Sequence, residues 1–259
     1  MKIKFLGTGG VFGVPMWNCD CEVCKSKDSK DKRLRPALFV QIEDKNIAID
    51  FGPDFRQQLI KNKIKKLDYA FLTHAHGDHM NGVAELVLQK DLILESPKEV
   101  LDDFFERMGS AKRWMQTRNP SIQIKPFKKK KICDITIDTI KSKHQKDYVK
   151  NEVPCFGFLF KSKNFSFAYL SDYNEVLEPE KIENLDLLIS DGCGFENAMP
   201  GHTGIKGSIE IYNKFKPKKM LITHIKHSKT HKDLNEHLKK FGNIECAYDG
   251  MEINVEILL

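Results

Sequence analysis

Apolar and polar positions alternate in short stretches through the first part of the chain. Lys2–Leu6 reads as a strand running into the Gly-rich turn Gly7-Thr8-Gly9-Gly10. Ala37–Ile42 and Asn46–Asp50 read as a hairpin around Glu43-Asp44-Lys45. Leu67–Thr73 is almost continuously apolar, the pattern of a strand buried on both faces. His79–Gln89 places Met80, Val83, Leu86 and Leu88 at the spacing of a helix packed on a sheet. Pro97–Met108 predicts another helix, with Ser96 as its N-cap and Pro97 at its first position. Further strands are predicted at Ile132–Ile140, Cys155–Lys161, Phe165–Leu170, Leu185–Ser190 and Lys219–Thr223, and helices near Ile205–Phe215 and Lys232–Lys239. Two halves of one style, without linker or repeat, predict a layered α/β sandwich of two facing sheets with helices outside. A single domain over residues 1–259 is expected, with its chemistry on the loops at one edge.

Composition narrows the class. The chain has 259 residues, 41% hydrophobic and 30% charged, enough for a sizeable core. No apolar stretch approaches the roughly 20 residues that span a membrane. The N-terminus turns polar and Gly-rich before a signal-peptide core could form, so a cytoplasmic protein without membrane partners is expected. Seven cysteines, an odd number, argue against a disulfide framework. The net charge of +6 is compatible with an anionic substrate. The run Lys128 to Lys131 fits a solvated loop or strand edge, with nucleic-acid contact as the alternative.

Two segments carry candidate chemistry. His74-Ala75-His76-Gly77-Asp78-His79 sets four metal-ligand side chains within six positions, where a strand should end and a helix begin, and holds three of the nine His. His74 and His76 can point the same way from extended backbone, and Gly77 permits a turn that brings Asp78 and His79 to a second ion. Imidazole with carboxylate suits zinc, manganese or iron. Two metals need further ligands. His144, Asp172 and His224 each lie just past a predicted strand, where a sandwich edge would gather them. Cys19-Asp20-Cys21-Glu22-Val23-Cys24 places three thiols in a loop near residues 15–28. Three thiolates and one more ligand make a closed tetrahedral zinc site, structural because no position stays open. His227, three residues after His224, is the attractive fourth ligand. Cys133, Cys155, Cys193 and Cys246 are isolated and are expected to pack as small hydrophobes. His231 and His237 are expected at the surface.

The His-x-His-x-Asp-His motif, followed by a His, an Asp and a His at strand ends, resembles the metallo-β-lactamase superfamily. The resemblance implies a four-layer αββα sandwich with a dinuclear site between the sheet edges. It implies a first ion on His74, His76 and His144, a second on Asp78, His79 and His224, and Asp172 bridging them. Asp50 would accept a hydrogen bond from a ligand His and orient it. The stretch Gly7 to Pro15 with the Cys cluster, Thr223-His224-Ile225-Lys226-His227 and Tyr248-Asp249-Gly250-Met251-Glu252-Ile253 narrow this. Together they resemble the cyclic phosphodiesterase family of the carbon–phosphorus lyase pathway, from Lys2 to Val255. That resemblance implies a structural zinc on Cys19, Cys21, Cys24 and His227, and an active pair of manganese or zinc. It also implies opening of 5-phosphoribosyl 1,2-cyclic phosphate to ribose 1,5-bisphosphate. Trp17-Asn18-Cys19-Asp20-Cys21 is similar to the pyrroloquinoline-quinone biosynthesis family of the same superfamily.

For the mechanism, two ions about 3.5–4 Å apart would bridge a water and lower its pKa toward neutrality. The resulting hydroxide would attack phosphorus in line, with Asp78 and Asp172 holding the metals and orienting the nucleophile. His202, in Pro200-Gly201-His202-Thr203-Gly204, is the candidate general acid or phosphate contact. Its place is similar to a catalytic His in the phosphodiesterase branch. The alternatives are a broader cyclic-nucleotide, RNA or DNA phosphodiesterase, including the tRNA 3′-processing type, or a non-catalytic cofactor-biosynthesis protein on the same fold. The family also makes a homodimer unsurprising.

Overall fold

The computed structural model of the chain describes residues 1–144, 152–196 and 198–255, so the last four residues of the expected domain lie outside the described residues. The first sheet takes β1 (Lys2–Gly7), β2 (Ala37–Ile42), β3 (Lys45–Ile49), β4 (Tyr69–Phe71), β5 (Ile93–Ser96) and β6 (Gln123–Pro126). The second takes β7 (Lys130–Ile132), β8 (Ile135–Lys143), β9 (Cys155–Lys161), β10 (Ser166–Tyr169), β11 (Glu175–Val176), β12 (Leu187–Asp191), β13 (Lys219–Thr223) and β14 (Ile244–Cys246). The last strand, β15 (Glu252–Asn254), returns to the first sheet beside β1. The strand orders are β15-β1-β2-β3-β4-β5-β6 and β11-β8-β9-β10-β12-β13-β14, with β7 hairpinned onto β8.

Strand direction decides where the chemistry goes. β3, β4, β5 and β6 are mutually parallel. In the second sheet β10, β12, β13 and β14 are parallel, and β8 runs the same way because β9 is antiparallel to both β8 and β10. The loops after β3, β4, β8, β10, β12 and β13 therefore leave at the carboxyl edge of each sheet, where open α/β folds place their sites.

Three apolar layers hold this arrangement. Phe5, Ile47, Ile49 and Phe71 of the first sheet pack between the sheets against Ile137, Phe158, Phe167 and Ile189 of the second. The Phe71 and Phe158 rings stack across the gap with centroids 5.1 Å apart. Outside the first sheet lie α2 (Phe55–Lys61), α4 (Lys98–Arg107) and α5 (Ala111–Arg118), which bury Phe55, Phe104 and Met115. Outside the second lie α6 (Gly204–Phe215) and α7 (His231–Leu238), which bury Ile205, Ile209 and Leu234. The result is the expected αββα sandwich. No helix among the described residues is long and apolar enough to cross a membrane.

Several predicted elements need correction. The helix expected over His79–Gln89 is a single turn, Gly77–Met80, followed by a 3-10 segment, Val83–Leu88. The break is at Gly82, where a Cβ would fall 2.2 Å from the Gly52 carbonyl. Leu88, counted on the apolar face, is 75% exposed. Ser96 is not an N-cap: it ends β5 and donates to the Leu72 carbonyl at 2.6 Å, and Pro97 takes the cap position. The strand expected over Ile132–Ile140 is the β7–β8 hairpin, turned at Cys133 (φ 52°) and Asp134, and Cys133 is exposed rather than packed. The helices α2 and α5 and the strands β5, β6, β11, β14 and β15 were not anticipated. Lys129 and Lys130 of the basic run pair with Asp138 and Glu95 at a strand edge. His231 is buried, not at the surface: Arg33 Nη2 lies 3.2 Å from its Nδ1, and its backbone N–H donates to Asp31 at 2.6 Å. His237 is half-buried between Phe195 and Phe241.

Candidate metal centre

Backbone geometry places the first donors. Asp50 and His224, one residue past β3 and β13, both adopt left-handed backbone, with φ of 65° and 56°. A non-glycine residue held so costs of order 1–3 kcal/mol and persists where the surroundings over-determine it. Here they do. Phe51 N donates to the His79 carbonyl and Gly82 N to the Phe51 carbonyl, each at 2.7 Å, locking the turn after β3 onto the motif turn. A Cβ on Gly52 would sit 1.9 Å from the Asp78 carbonyl, so only glycine permits that approach.

The motif and the dispersed donors converge. His74 Nε2 and His144 Nε2 each lie 3.1 Å from His76 Nδ1. One ring proton cannot serve both contacts, whereas a cation would accept all three lone pairs. His144 Nδ1 donates to the Gly201 carbonyl at 2.7 Å, which leaves Nε2 as the acceptor end. Beside this trio, Asp78 Oδ2 lies 3.4 Å from both His79 Nε2 and His224 Nε2. Asp172 lies 3.4 Å from His79 Nε2 and 3.3 Å from His224 Nε2, and also 3.8 and 3.9 Å from His74 and His144. Its carboxylate therefore faces both groups. Asp50 Oδ2 accepts from His79 Nδ1 at 2.8 Å and Asp50 Oδ1 from Thr73 N at 2.9 Å, so His79 presents Nε2 inward.

These donors fit divalent ions. A tetrahedral ion with bonds of about 2.0–2.1 Å has ligand–ligand edges of about 3.3–3.4 Å, and the observed separations cluster there. His79 Nε2 and Asp172 Oδ1 are buried without a hydrogen-bond partner, a costly state that a cation between them would relieve. Protonation agrees. Burial holds the His74 imidazole well below its usual range, brings His76 down to about 4 and lowers His144, so all three offer lone pairs. Burial works against the charged forms of Asp78 and Asp172, but neighbouring His79 and His224 hold both carboxyls well below their usual range. The same carboxylates hold His79 and His224 well above theirs, against burial.

His202 joins this edge. Its Nδ1 lies 3.3 Å from Asp191 Oδ2 and 4.0 Å from Asp172, and its ring stacks on His224 at 5.1 Å. Two members of this group were not anticipated. Asp191, fully buried, accepts from Cys193 N, Thr203 N and Gly204 N and so holds the His202 loop. It ends its strand as Asp50 and Asp172 follow theirs, and that shared placement was the available signal. Cys193 is buried but not inert: with His202 and His224 it forms a further group able to hold a metal. The two rings lower its thiol against the effect of burial.

A second donor group lies nearby. Cys19 and Cys21 Sγ are 3.4 and 3.3 Å from His227 Nδ1, and Cys24 completes the set. A tetrahedral zinc with three sulfurs and a nitrogen has S–N edges of about 3.6 Å. Burial raises the Cys21 thiol, but His227 and the Cys24 backbone N–H outweigh it and bring it to about 6, while Cys24 is pushed up to about 11.

The first group opens on a cleft of about 480 Å³, lined by His76, Asp78, Asp172 and His202 and by Phe12, Met199 and Lys226. A family model described as a beta-lactamase superfamily domain matches residues 45–225. An octanoyltransferase of Porphyromonas gingivalis is 29% identical over 272 residues, which cover 99% of this chain and 52% of that protein. The chain thus spans about half the length of that relative. A ribonuclease Z of Saccharolobus islandicus is 24% identical over 292 residues, 92% of each. Among solved structures, a diphosphatase from the PhnP family superposes with a TM-score of 0.84 at 27% identity, covering 98% of this chain and 97% of that one.

Proposed function

The chain belongs to the metallo-β-lactamase superfamily, and on that premise we propose that it is a dinuclear metal-dependent phosphodiesterase acting on a cyclic phosphate ester. Our best single substrate is 5-phosphoribosyl 1,2-cyclic phosphate, opened to ribose 1,5-bisphosphate. The observation that carries the reading is the set of seven donors near tetrahedral-edge distances, of which His76, Asp78, His144, Asp172 and His224 line an open cleft. The first ion would sit on His74, His76 and His144. The second would sit on Asp78, His79 and His224, with Asp172 shared. Cys19, Cys21, Cys24 and His227 would hold a structural zinc.

When bound, such a pair supplies Lewis-acid polarisation of the phosphoryl oxygens and an activated water near neutral pH. The chain's own residues do the rest. Asp50 takes the hydrogen bond from His79 Nδ1 and so turns the ring's Nε2 inward, where it would face an ion. His202 supplies the proton. Burial disfavours its charged form, but the Asp191 carboxylate and Cys193 thiol facing the ring, with Asp172 nearby, raise it to about 10. Its ring lines the cleft beside the donors, in place to protonate a leaving ribose oxygen. Asp191 keeps that ring in place by holding the backbone of Thr203 and Gly204.

A second reading, an RNA or DNA phosphodiesterase, gains support from the near full-length likeness to ribonuclease Z. The octanoyltransferase likeness carries no acyl transfer to this chain, because that protein is about twice as long. The test is hydrolysis of 5-phosphoribosyl 1,2-cyclic phosphate by manganese-loaded protein, beside 2′,3′-cyclic nucleotides, with Asp78→Ala as control. Turnover of the ribose substrate, lost in the variant, supports the first reading. Turnover of nucleotides alone moves the role to nucleic-acid metabolism. Metal-dependent turnover of neither sinks the phosphodiesterase reading.

A further inference from the structure

Cys193 lies where the dinuclear donors meet the His202 loop. Gly192 brings it there. Its N–H donates to the Thr223 carbonyl at 2.7 Å, and a Cβ on it would fall 2.4 Å from Ile222 Cγ2. Only glycine lets the loop after β12 lie this close to β13. The loop then closes on itself. Met199 N donates to the Cys193 carbonyl at 3.2 Å and Ile205 N to the Gly194 carbonyl at 2.9 Å, which brings His202 back to the thiol. The donor atoms of Cys193, His202 and His224 all lie within 4.8 Å of one another.

The Nδ1 atoms of His202 and His224 are buried and have no hydrogen-bond partner. The Asp191 carboxylate lies 3.3 Å from the first, out of line for a hydrogen bond, and 3.7 Å from the second, out of reach. Buried ring nitrogens without partners are costly, and a cation between them would relieve both. This is the far side of the His224 ring from the dinuclear donors, because its Nε2 faces Asp78 and Asp172. Cys193, His202 and His224 all line the cleft, so an ion can reach them. A thiolate with two imidazoles suits soft and borderline ions such as zinc, cadmium or copper, and suits manganese poorly.

We propose that Cys193, His202 and His224 form a third metal site, which shares His224 with the dinuclear pair, takes a soft ion and switches the enzyme off. Binding replaces the S–H bond of Cys193 and the N–H bonds at the two Nδ1 positions by bonds to the metal. The protons leave to water, and nothing is oxidised or reduced. His202 Nδ1 is also the nitrogen turned toward Asp172, at 4.0 Å. An ion there takes the place of the proton that faces the reacting group, and it ties the ring to Cys193. The binding stands by itself, while the inhibition rests on the phosphodiesterase reading above. Manganese-loaded protein should therefore lose activity when zinc is in excess.

The test uses the full chain with manganese in the pair and zinc in the cysteine cluster, as wild type, Cys193→Ser and His202→Gln. Cadmium is the probe, because a thiolate bound to it absorbs in the ultraviolet. Elemental analysis after desalting should find one more cadmium per chain in wild type than in either variant. Wild type should also gain a thiolate-to-cadmium absorption that Cys193→Ser lacks, since any signal from the cysteine cluster is common to both. Excess zinc should inhibit wild type on bis(p-nitrophenyl) phosphate at a concentration at least about 10–100-fold below that needed for Cys193→Ser, because even an outer partner is worth that much in metal affinity. Each protein is measured against its own uninhibited rate. Equal cadmium content and absorption in wild type and Cys193→Ser overturn the site. An extra cadmium in wild type with equal zinc inhibition in both overturns the switch. Cadmium bound through Cys193 in a protein that hydrolyses no diester keeps the site and removes the phosphodiesterase reading. Equal thermal midpoints of the three proteins exclude a folding artefact.

Discussion

The donors around Asp172 and those around His227 share one segment, Thr223–His227, which gives His224 to the first and His227 to the second, and they differ in almost every other physical respect. The first group is nitrogen and carboxylate, nearly all of it buried, and it faces a cleft. The second is thiol and imidazole, with Cys19, Cys21 and His227 only half-buried, and a short helix (Glu22–Lys25) begins within it. The first carries acceptors that no side chain satisfies, and the second can close on itself with four donors. An ion in the first would face the cleft, whereas one in the second would be enclosed by its four donors. In the first group Asp50 and His224 take left-handed backbone and Gly52 admits the close approach of the Asp78 carbonyl.

The largest effect should come from the first group. Asp78→Ala should lower turnover by at least about 10³-fold, since a lost ion removes several kcal/mol of transition-state stabilisation. Elemental analysis should show the loss of active-site metal with the cysteine-bound zinc retained. If activity survives, the contrast between the groups fails. Cys21→Ser should do the reverse. It removes about 4 kcal/mol of ligand stabilisation if the metal stands near 1,000-fold above its Kd. That lowers the thermal midpoint by roughly 8–16 °C, with kcat on a small aryl diester much less affected. Calorimetry with and without a chelator checks this, and a loss of kcat as deep as that of Asp78→Ala would make the second group catalytic.

Asp50→Asn keeps the shape but weakens the charge behind His79. It should cost about 10–100-fold in activity or in affinity for one ion, read by metal titration. The smallest effect concerns acid. Burial, with Arg33 and Lys30 close by, brings the His231 imidazole down to about 4. The folded protein therefore binds fewer protons there than the unfolded chain between pH 6.5 and 4. The stability from this group is present above pH 6.5 and lost as pH falls through about 4. Asp249 acts oppositely. Burial raises it to about 6, so its contribution is complete below the ordinary carboxyl range and is lost as pH rises through 6. Urea melts from pH 7 to 4 should show a shallower acid loss in His231→Gln than in wild type, and a steeper one in Asp249→Asn. Equal slopes in all three would remove the pH argument.

Much of the site was legible because its signal is local. The hexapeptide follows β4 directly, and the alternating His74 and His76 point as extended backbone requires. The strand-end positions of His144, Asp172 and His224 were legible for the same reason, since a strand's end shows in its hydrophobic pattern. Other parts depend on distant partners. His231 is buried because Arg33, 198 positions away, reaches its ring, and no local window contains that fact. Cys193 looked isolated because His202 and His224 come to it through the fold. β14 and β15 have three residues each, too few to show a period. The helix misread at His79–Gln89 shows the opposite error. Its apolar spacing was real, but Gly82 had to meet Gly52.

The closed cluster joins cysteines near one end of the chain to a histidine 206 positions beyond Cys21. On a ribosome adding about 5–20 residues each second, the thiols would wait roughly 10–40 s for their last ligand. During that interval they are free to react with oxidants or to catch a stray ion. Occupancy of the cluster by the right metal would thus depend on how well the cell guards nascent thiols, and the yield of active protein would respond to zinc supply and redox state during synthesis.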